Sequence, residues 1–122
     1  MNYKKLNKRD TVNGPGVRVS LTVSGSDEED FFSGKIFTAK TFRGILKALD
    51  DEHISGFTVL GGEPLHPRNQ HTVTTVCRLI REKYPDKSIH VYTGYDFDEI
   101  KDHKIMNFID VIVDGKSIKW EV

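Results

Sequence analysis

Cysteine is almost absent from this chain. Cys77 stands alone among 122 residues, so no disulfide can form within the chain, and a reducing, cytoplasmic compartment is the expectation. Long apolar runs are missing as well. No stretch of about eighteen apolar residues occurs, which excludes a membrane-spanning helix of that kind and argues against a membrane partner. An excess of either charge is also lacking: eighteen basic and eighteen acidic residues cancel and the pI is near 7.0, so no overall field draws nucleic acid or an anionic surface. Lys4, Lys5, Lys8 and Arg9 gather near the amino terminus. Leu6 and Asn7 interrupt them and no apolar stretch follows, so they read as a solvated basic lead-in and not as a signal peptide. No Ser-His-Asp, Cys-His or phosphate-loop pattern is present, and Asn13-Gly14-Pro15-Gly16 alone does not make one. His53, His66, His71, His90 and His103 match no metal-ligand spacing and read as ordinary histidines.

What is there fits one α/β domain over residues 1–122. Val17, Val19, Leu21 and Val23 alternate with Arg18, Ser20 and Thr22, the period-two pattern of a strand. Thr38 can cap a helix with Phe42, Ile45, Leu46 and Leu49 on one face. Phe57 to Leu60 is a short strand ended by Gly61-Gly62. Asn69 is placed to cap a second helix, whose Val73, Val76, Cys77, Ile80 and Tyr84 form a buried stripe before Pro85. Ile89 to Tyr92 reads as the next strand, Asp96 with Glu99 as a capping box, and Ile109 to Val113 as the last strand. Strands alternating with helices imply parallel βαβ units. Residues 24–34 fit neither element, and Ser26-Asp27-Glu28-Glu29-Asp30 makes that connection polar and acidic.

Gly61-Gly62-Glu63-Pro64 follows an apolar strand, so it turns at the carboxyl edge of the sheet, where open α/β folds bind ligands. Two glycines let a ligand approach the backbone, and Glu63 offers a carboxylate to an amine. Taken alone, the four residues read more simply as a strand-ending turn.

Asn13-Gly14-Pro15-Gly16-Val17-Arg18, Leu60-Gly61-Gly62-Glu63-Pro64-Leu65, Tyr92-Thr93-Gly94-Tyr95 and Asp110-Val111-Ile112-Val113-Asp114-Gly115-Lys116 stand in this order along the chain. Together they resemble the activating proteins of anaerobic ribonucleotide reductase, a radical S-adenosylmethionine family. The resemblance runs from Met1-Asn2-Tyr3 to about Lys116. It implies a partial, incomplete TIM-like barrel with a mostly parallel sheet of about four to five strands and helices on its outer face. It also implies a 4Fe–4S cluster and S-adenosylmethionine at the carboxyl ends of the strands, generation of a glycyl radical, and a partnership with the large reductase subunit, with self-pairing as a further expectation. By position, Gly62 and Glu63 would hold the methionine amino group of the cofactor, with Gly61 and Pro64 of the same turn among the cofactor-binding residues. Thr93 and Gly94 would lie beside its adenosyl part, and Asn13 and Arg18, near the barrel mouth, would supply polar contacts.

One departure decides the expected chemistry. The family carries a C-x-x-x-C-x-x-C motif directly after the serine and glycine that end the first strand, and here that place reads Ser24-Gly25-Ser26-Asp27-Glu28-Glu29-Asp30-Phe31-Phe32-Ser33-Gly34. None of the three cysteines is present, and the loop is shorter. Three thiolates hold three irons of such a cluster, whereas carboxylates suit harder cations. The expectation is therefore a chain without a cluster and without catalytic residues, whose affinity for S-adenosylmethionine is weak. The alternative is a binding module that keeps an adenosine pocket or the surface that meets the reductase. After Lys116 the family continues further, and Ser117-Ile118-Lys119-Trp120 matches a remnant of that segment.

Overall fold

A computed structural model describes residues 1–115 and, by backbone alone, the strand Ile118–Glu121. The expectation placed on Ser117 lies outside the described residues. In chain order the elements are β1 (Asn2–Asp10), β2 (Val17–Val23), β3 (Lys35–Ile36), α1 (Ala39–Leu49), β4 (Ile54–Gly61), α2 (Gln70–Lys83), β5 (Ser88–Tyr92), α3 (Phe97–Ile100), β6 (Val111–Val113) and β7 (Ile118–Glu121). Single 3₁₀ turns lie at Asp30–Phe32 and Lys104–Asn107.

The strands form one seven-stranded sheet in the order β3-β1-β2-β4-β5-β6-β7. Its centre, β2-β4-β5-β6, is parallel, and antiparallel strands flank it on both sides. The expected α/β class and parallel sheet are present. The sheet is open and has more strands than the four to five expected, because the antiparallel edges carry little apolar signal. The largest correction falls on the basic lead-in: Asn2–Asp10 is a nine-residue strand paired with β2. Its polar sequence, Asn-Tyr-Lys-Lys-Leu-Asn-Lys-Arg-Asp, hides that role.

Alternation along the central strands divides the sheet faces. Val19, Leu21, Val23, Phe57, Val59, Ile89 and Val91 form one buried cluster with Ile45 and Leu49 of α1 and Val73, Val76, Cys77 and Ile80 of α2. The opposite face carries Arg18, Ser20, Thr58 and His90. Thr38 caps α1 as its position implies: its hydroxyl accepts from the Thr41 amide in a capping box. Asn69 occupies the cap position of α2 but makes no side-chain cap bond, a correction explained below. Asp96 and Glu99 form their box, yet the helix behind it is a single turn of four residues.

Arg18 is fully buried, and its guanidinium is consumed by the fold. Nε donates to Thr58 Oγ1 at 2.8 Å, one terminal nitrogen to Ser88 Oγ and the Pro15 carbonyl, and the other to the carbonyls of Phe57 and Ser88. All five N–H donors have acceptors, so the cation is desolvated without orphaned hydrogens. The loop that covers it is fixed by Asp10. That carboxylate accepts from the amides of Val12 and Asn13 and from Asn13 Nδ2. Burial would raise the Asp10 pKa, but these bonds and one from Ser20 outweigh it and hold it at about 2. His90, beside Arg18, is held down to about 4 by burial and by the guanidinium.

Two outcomes follow from this buried corner. Arg18→Met strands the carbonyls of Phe57 and Ser88 in a dry site, and urea unfolding should register a loss of at least about 3 kcal/mol. Lysine, with a point charge in place of a fork, should not rescue it. The His90 pKa is lower folded than its ordinary 6.5, so the unfolded chain binds the proton first. Stability should fall as pH drops from about 6.5 towards 4 and be indifferent to this group above that window. Denaturation curves at pH 5 and 7 should diverge less for His90→Gln than for the unaltered chain.

Candidate functional site

The carboxyl ends of the parallel strands converge on one edge. Gly62 is where backbone meets backbone at that edge: a Cβ there would sit 2.5 Å from the Ser24 carbonyl carbon and 2.7 Å from the Gly25 amide. The backbones leaving β2 and β4 therefore touch, and only glycine permits it. Gly61, just before, has φ of 84°, a left-handed turn that swings the chain over the end of β2. Asn69, which is buried, closes the arrangement from α2: its Nδ2 donates to the carbonyls of Ser24 at 2.9 Å and Glu63 at 3.0 Å. That is why it does not cap its own helix. Pro64 is buried beneath the same turn.

Glu63 reaches across to β5. Its Oε1 accepts from the Gly94 amide at 2.7 Å, and its Oε2 accepts from Thr93 Oγ1 at 2.8 Å and from the Leu65 amide at 2.9 Å. Thr93 Oγ1 in turn accepts from the Tyr95 amide, and the Thr93 amide donates to the Val113 carbonyl of β6. A carboxylate offers about four acceptor positions, so three bonds leave it roughly one. Gly61, Gly62, Glu63, Pro64, Thr93 and Gly94, named from sequence, are thus brought together. Burial raises the Tyr95 pKa, helped by the nearby carboxylates of Glu63 and Glu99.

Asn13 and Arg18 are not part of this group. Arg18 pairs with Gly56 near the start of β4, whereas Val23 pairs with Gly61 at its end. The two therefore lie at the amino edge of the sheet, about 17 Å away along the strands at the usual rise. Asn13 is occupied there by Asp10, and its carbonyl accepts from Thr58 Oγ1. A lone arginine in an alternating strand gives no sign of which edge will bury it.

The loop after Ser24-Gly25 is organised by one carboxylate, which the sequence pattern merged into an acidic, solvated run. Asp30 Oδ2 accepts from the amides of Gly25 and Ser26, both at 2.8 Å, and Oδ1 accepts from Ser33 Oγ and pairs with Lys4 Nζ at 2.5 Å. The lysine first, then these hydrogen bonds, hold the Asp30 pKa well below the ordinary carboxylate range. Asp27 adds a turn by accepting from the Asp30 amide. Ser24 Oγ donates to the Ser33 carbonyl across the neck. Phe31 packs against Gly25, lies 4.4 Å from the His66 ring and has the Arg68 guanidinium 5.0 Å above it. Arg68 also faces Glu28 at 3.7 Å.

These donors do not fit an iron–sulfur cluster. Cys77 is wholly buried between α2 and the sheet, and burial pushes its thiol up to about 12. Its place in the helical stripe keeps it away from this edge. Among the described residues no group of three histidine, cysteine or acidic side chains is arranged to hold a metal.

The fold is an open α/β sheet whose carboxyl edge carries a glycine-rich turn and a carboxylate. The family described as "4Fe-4S single cluster domain" matches residues 12–121. More narrowly, the chain belongs to the anaerobic ribonucleoside-triphosphate reductase-activating proteins. It is 34% identical to the one from Enterobacteria phage T4, over 98% of this chain and 83% of that relative. The relative from Haemophilus influenzae is 35% identical and that from Escherichia coli 36%, each over 98% of this chain and 86% of the relative. The aligned stretches, 129 to 133 residues, exceed the chain's own 122, so these relatives carry residues that this chain lacks. No solved structure matches the chain. Among the described residues no helix is long and apolar enough to cross a membrane.

If Asp30 is what shapes the loop, Asp30→Ala should release it. Hydrogen exchange at the Gly25 and Ser26 amides should speed up by an order of magnitude or more while the core amides of β4 stay protected. Asp30→Asn, which keeps an acceptor but loses the charge facing Lys4, should fall between.

Proposed function

We propose that this chain is a member of the activating-protein family that does not perform the radical reaction, and that its carboxyl edge serves binding. Homologous activating proteins carry the name of an enzyme they switch on, and the family description names a cluster. What supports a different role here is the replacement at the neck of β2: a carboxylate-closed loop stands where the resemblance expects three thiolates, and the one cysteine is sealed in the core. An Asp30 whose oxygens are already committed to two amides, a serine and a lysine has little left for iron, and oxygen donors suit sulfide-bridged iron poorly.

The Gly62, Glu63, Thr93 and Gly94 shelf is the part kept for a ligand. Glu63 retains acceptor capacity for the ammonium of S-adenosylmethionine, the exposed Gly94 leaves open surface beside it, and both lie at the edge where α/β sheets bind ligands. Affinity should be weak, because the amino and carboxylate groups of that ligand would have no iron to chelate. The reductase-docking surface is the alternative object of retention, supported by the full-length similarity to proteins named for activating that enzyme.

Anaerobic reconstitution with iron and sulfide, followed by iron analysis and absorption spectra, should give no stoichiometric cluster, and no 5′-deoxyadenosine should form on addition of S-adenosylmethionine and a reductant. A loaded cluster that cleaves the cofactor overturns the reading. Calorimetry should find weak S-adenosylmethionine binding that Glu63→Ala abolishes. Binding to the large reductase subunit alone selects the alternative.

A further inference from the structure

The amino edge of the sheet carries a groove that the carboxyl-edge reading leaves unused. It has a volume of about 390 Å³ and is lined by Lys8 and Arg9 of β1, Gly44, Lys47 and Ala48 of α1, and Asp51 and Ile54 beyond that helix. Three observations converge there. The first is an open strand edge. β3 covers β1 only at Asn2 and Tyr3, so among the described residues no strand pairs with the outer side of β1 from Lys4 to Arg9. Backbone groups on such an edge can pair with an added chain. Here the Arg9 amide already donates to Asn7 Oδ1 and the ladder to β2 is irregular beyond Asn7, so the outward-facing groups before Arg9 are the ones left to pair.

The second is Gly44. It sits inside α1, where glycine costs about 1 kcal/mol relative to alanine. Its φ is not positive, and an added Cβ would meet nothing within 4 Å. Neither conformation nor packing within the chain demands it, and what its missing side chain provides is the open floor of the groove. The third is charge. Lys8, Arg9 and Lys47 face one carboxylate, Asp51, which lies 3.7 Å from Arg9. Among the described residues neither Lys8 nor Lys47 has an ion-pair partner.

From these we infer that the groove between β1 and α1 is a strand-addition site for an extended acidic segment of another protein. The segment's backbone pairs with the outer edge of β1, and one of its carboxylates enters over Gly44 to meet Lys8 and Lys47. A second copy of the same edge is a poor occupant, since β1 to β1 pairing sets lysines against lysines.

A blocked peptide of about eight residues alternating glutamate and valine is the probe, with its lysine-valine counterpart and a duplex DNA as comparisons. Titration followed by amide NMR should shift and protect the outward-facing amides between Lys4 and Lys8 with the acidic peptide alone, and binding should weaken with salt. Gly44→Phe fills the groove from a position with free space and suits a helix better than glycine, so it should fold as the unaltered chain does by circular dichroism yet bind the peptide about tenfold or more weakly. Lys8→Glu with Lys47→Glu should do the same, and should turn preference towards the lysine peptide. Binding unchanged in both variants overturns the proposal. So does DNA binding in place of peptide binding, or concentration-dependent dimerisation that protects β1.

Discussion

The contact on which the carboxyl edge depends is between two backbones. Gly62 lies against the Ser24 carbonyl and the Gly25 amide with no room for a side chain, and Asn69 ties Ser24 to Glu63 through a single amide. Once those ends are joined, Glu63 is placed where it can reach Thr93 and Gly94, and β5 is drawn into the same edge. A buried side-chain amide bridging two carbonyls is stronger in a dry setting than on a surface, and its loss would leave both acceptors orphaned. The edge is thus a preassembled shelf, rigid without any ligand to order it.

That rigidity separates two things the family joins. In a cluster protein the segment after the first parallel strand must present three sulfurs, and the metal itself then fixes the loop. In this chain the same segment is fixed by Asp30 through two amides, a hydroxyl and Lys4. A carboxylate can play the organising part of a metal because it gathers several donors around one negative centre. It cannot supply an electron. The loop is held by these bonds, and the parallel strands beneath it pair regularly at their carboxyl ends.

The apolar periodicity was enough to place β2, β4, β5 and both long helices, because each buries one face against a single core. It was blind to β1, whose neighbours on an edge let seven polar or charged residues stand in nine. Asn69 and Arg18 misled for a related reason. Local spacing says cap for the first, and the resemblance sets the second among polar contacts near the barrel mouth, but their partners lie 45 and 70 residues away, and only the assembled fold brings these together. The glycines of the Gly61-Gly62 pair were legible as a place of close approach. Sequence could not say that Gly62 makes room for the chain's own Ser24.

Zero net charge conceals one local cluster of cations among charges of both signs. Asp27, Glu28 and Glu29 follow the carboxyl end of β2, and Asp96, Asp98 and Glu99 follow that of β5, whereas Lys8, Arg9 and Lys47 meet at the amino edge. β1 runs antiparallel to β2, so its last residues necessarily arrive at that edge, and α1 leads into β4, so its last turn arrives there too. Topology has therefore gathered these cations beside Asp51, and the Debye length at physiological salt, about 8 Å, is shorter than the roughly 20 Å between the edges. Each end meets its surroundings as if the other were absent, and local groups set what it attracts: at the carboxyl edge Lys4 and Arg68 already pair with Asp30 and Glu28, while among the described residues Lys8 and Lys47 have no ion-pair partner at the amino edge. A chain with no overall field can in this way keep one patch of cations that its own acids do not pair.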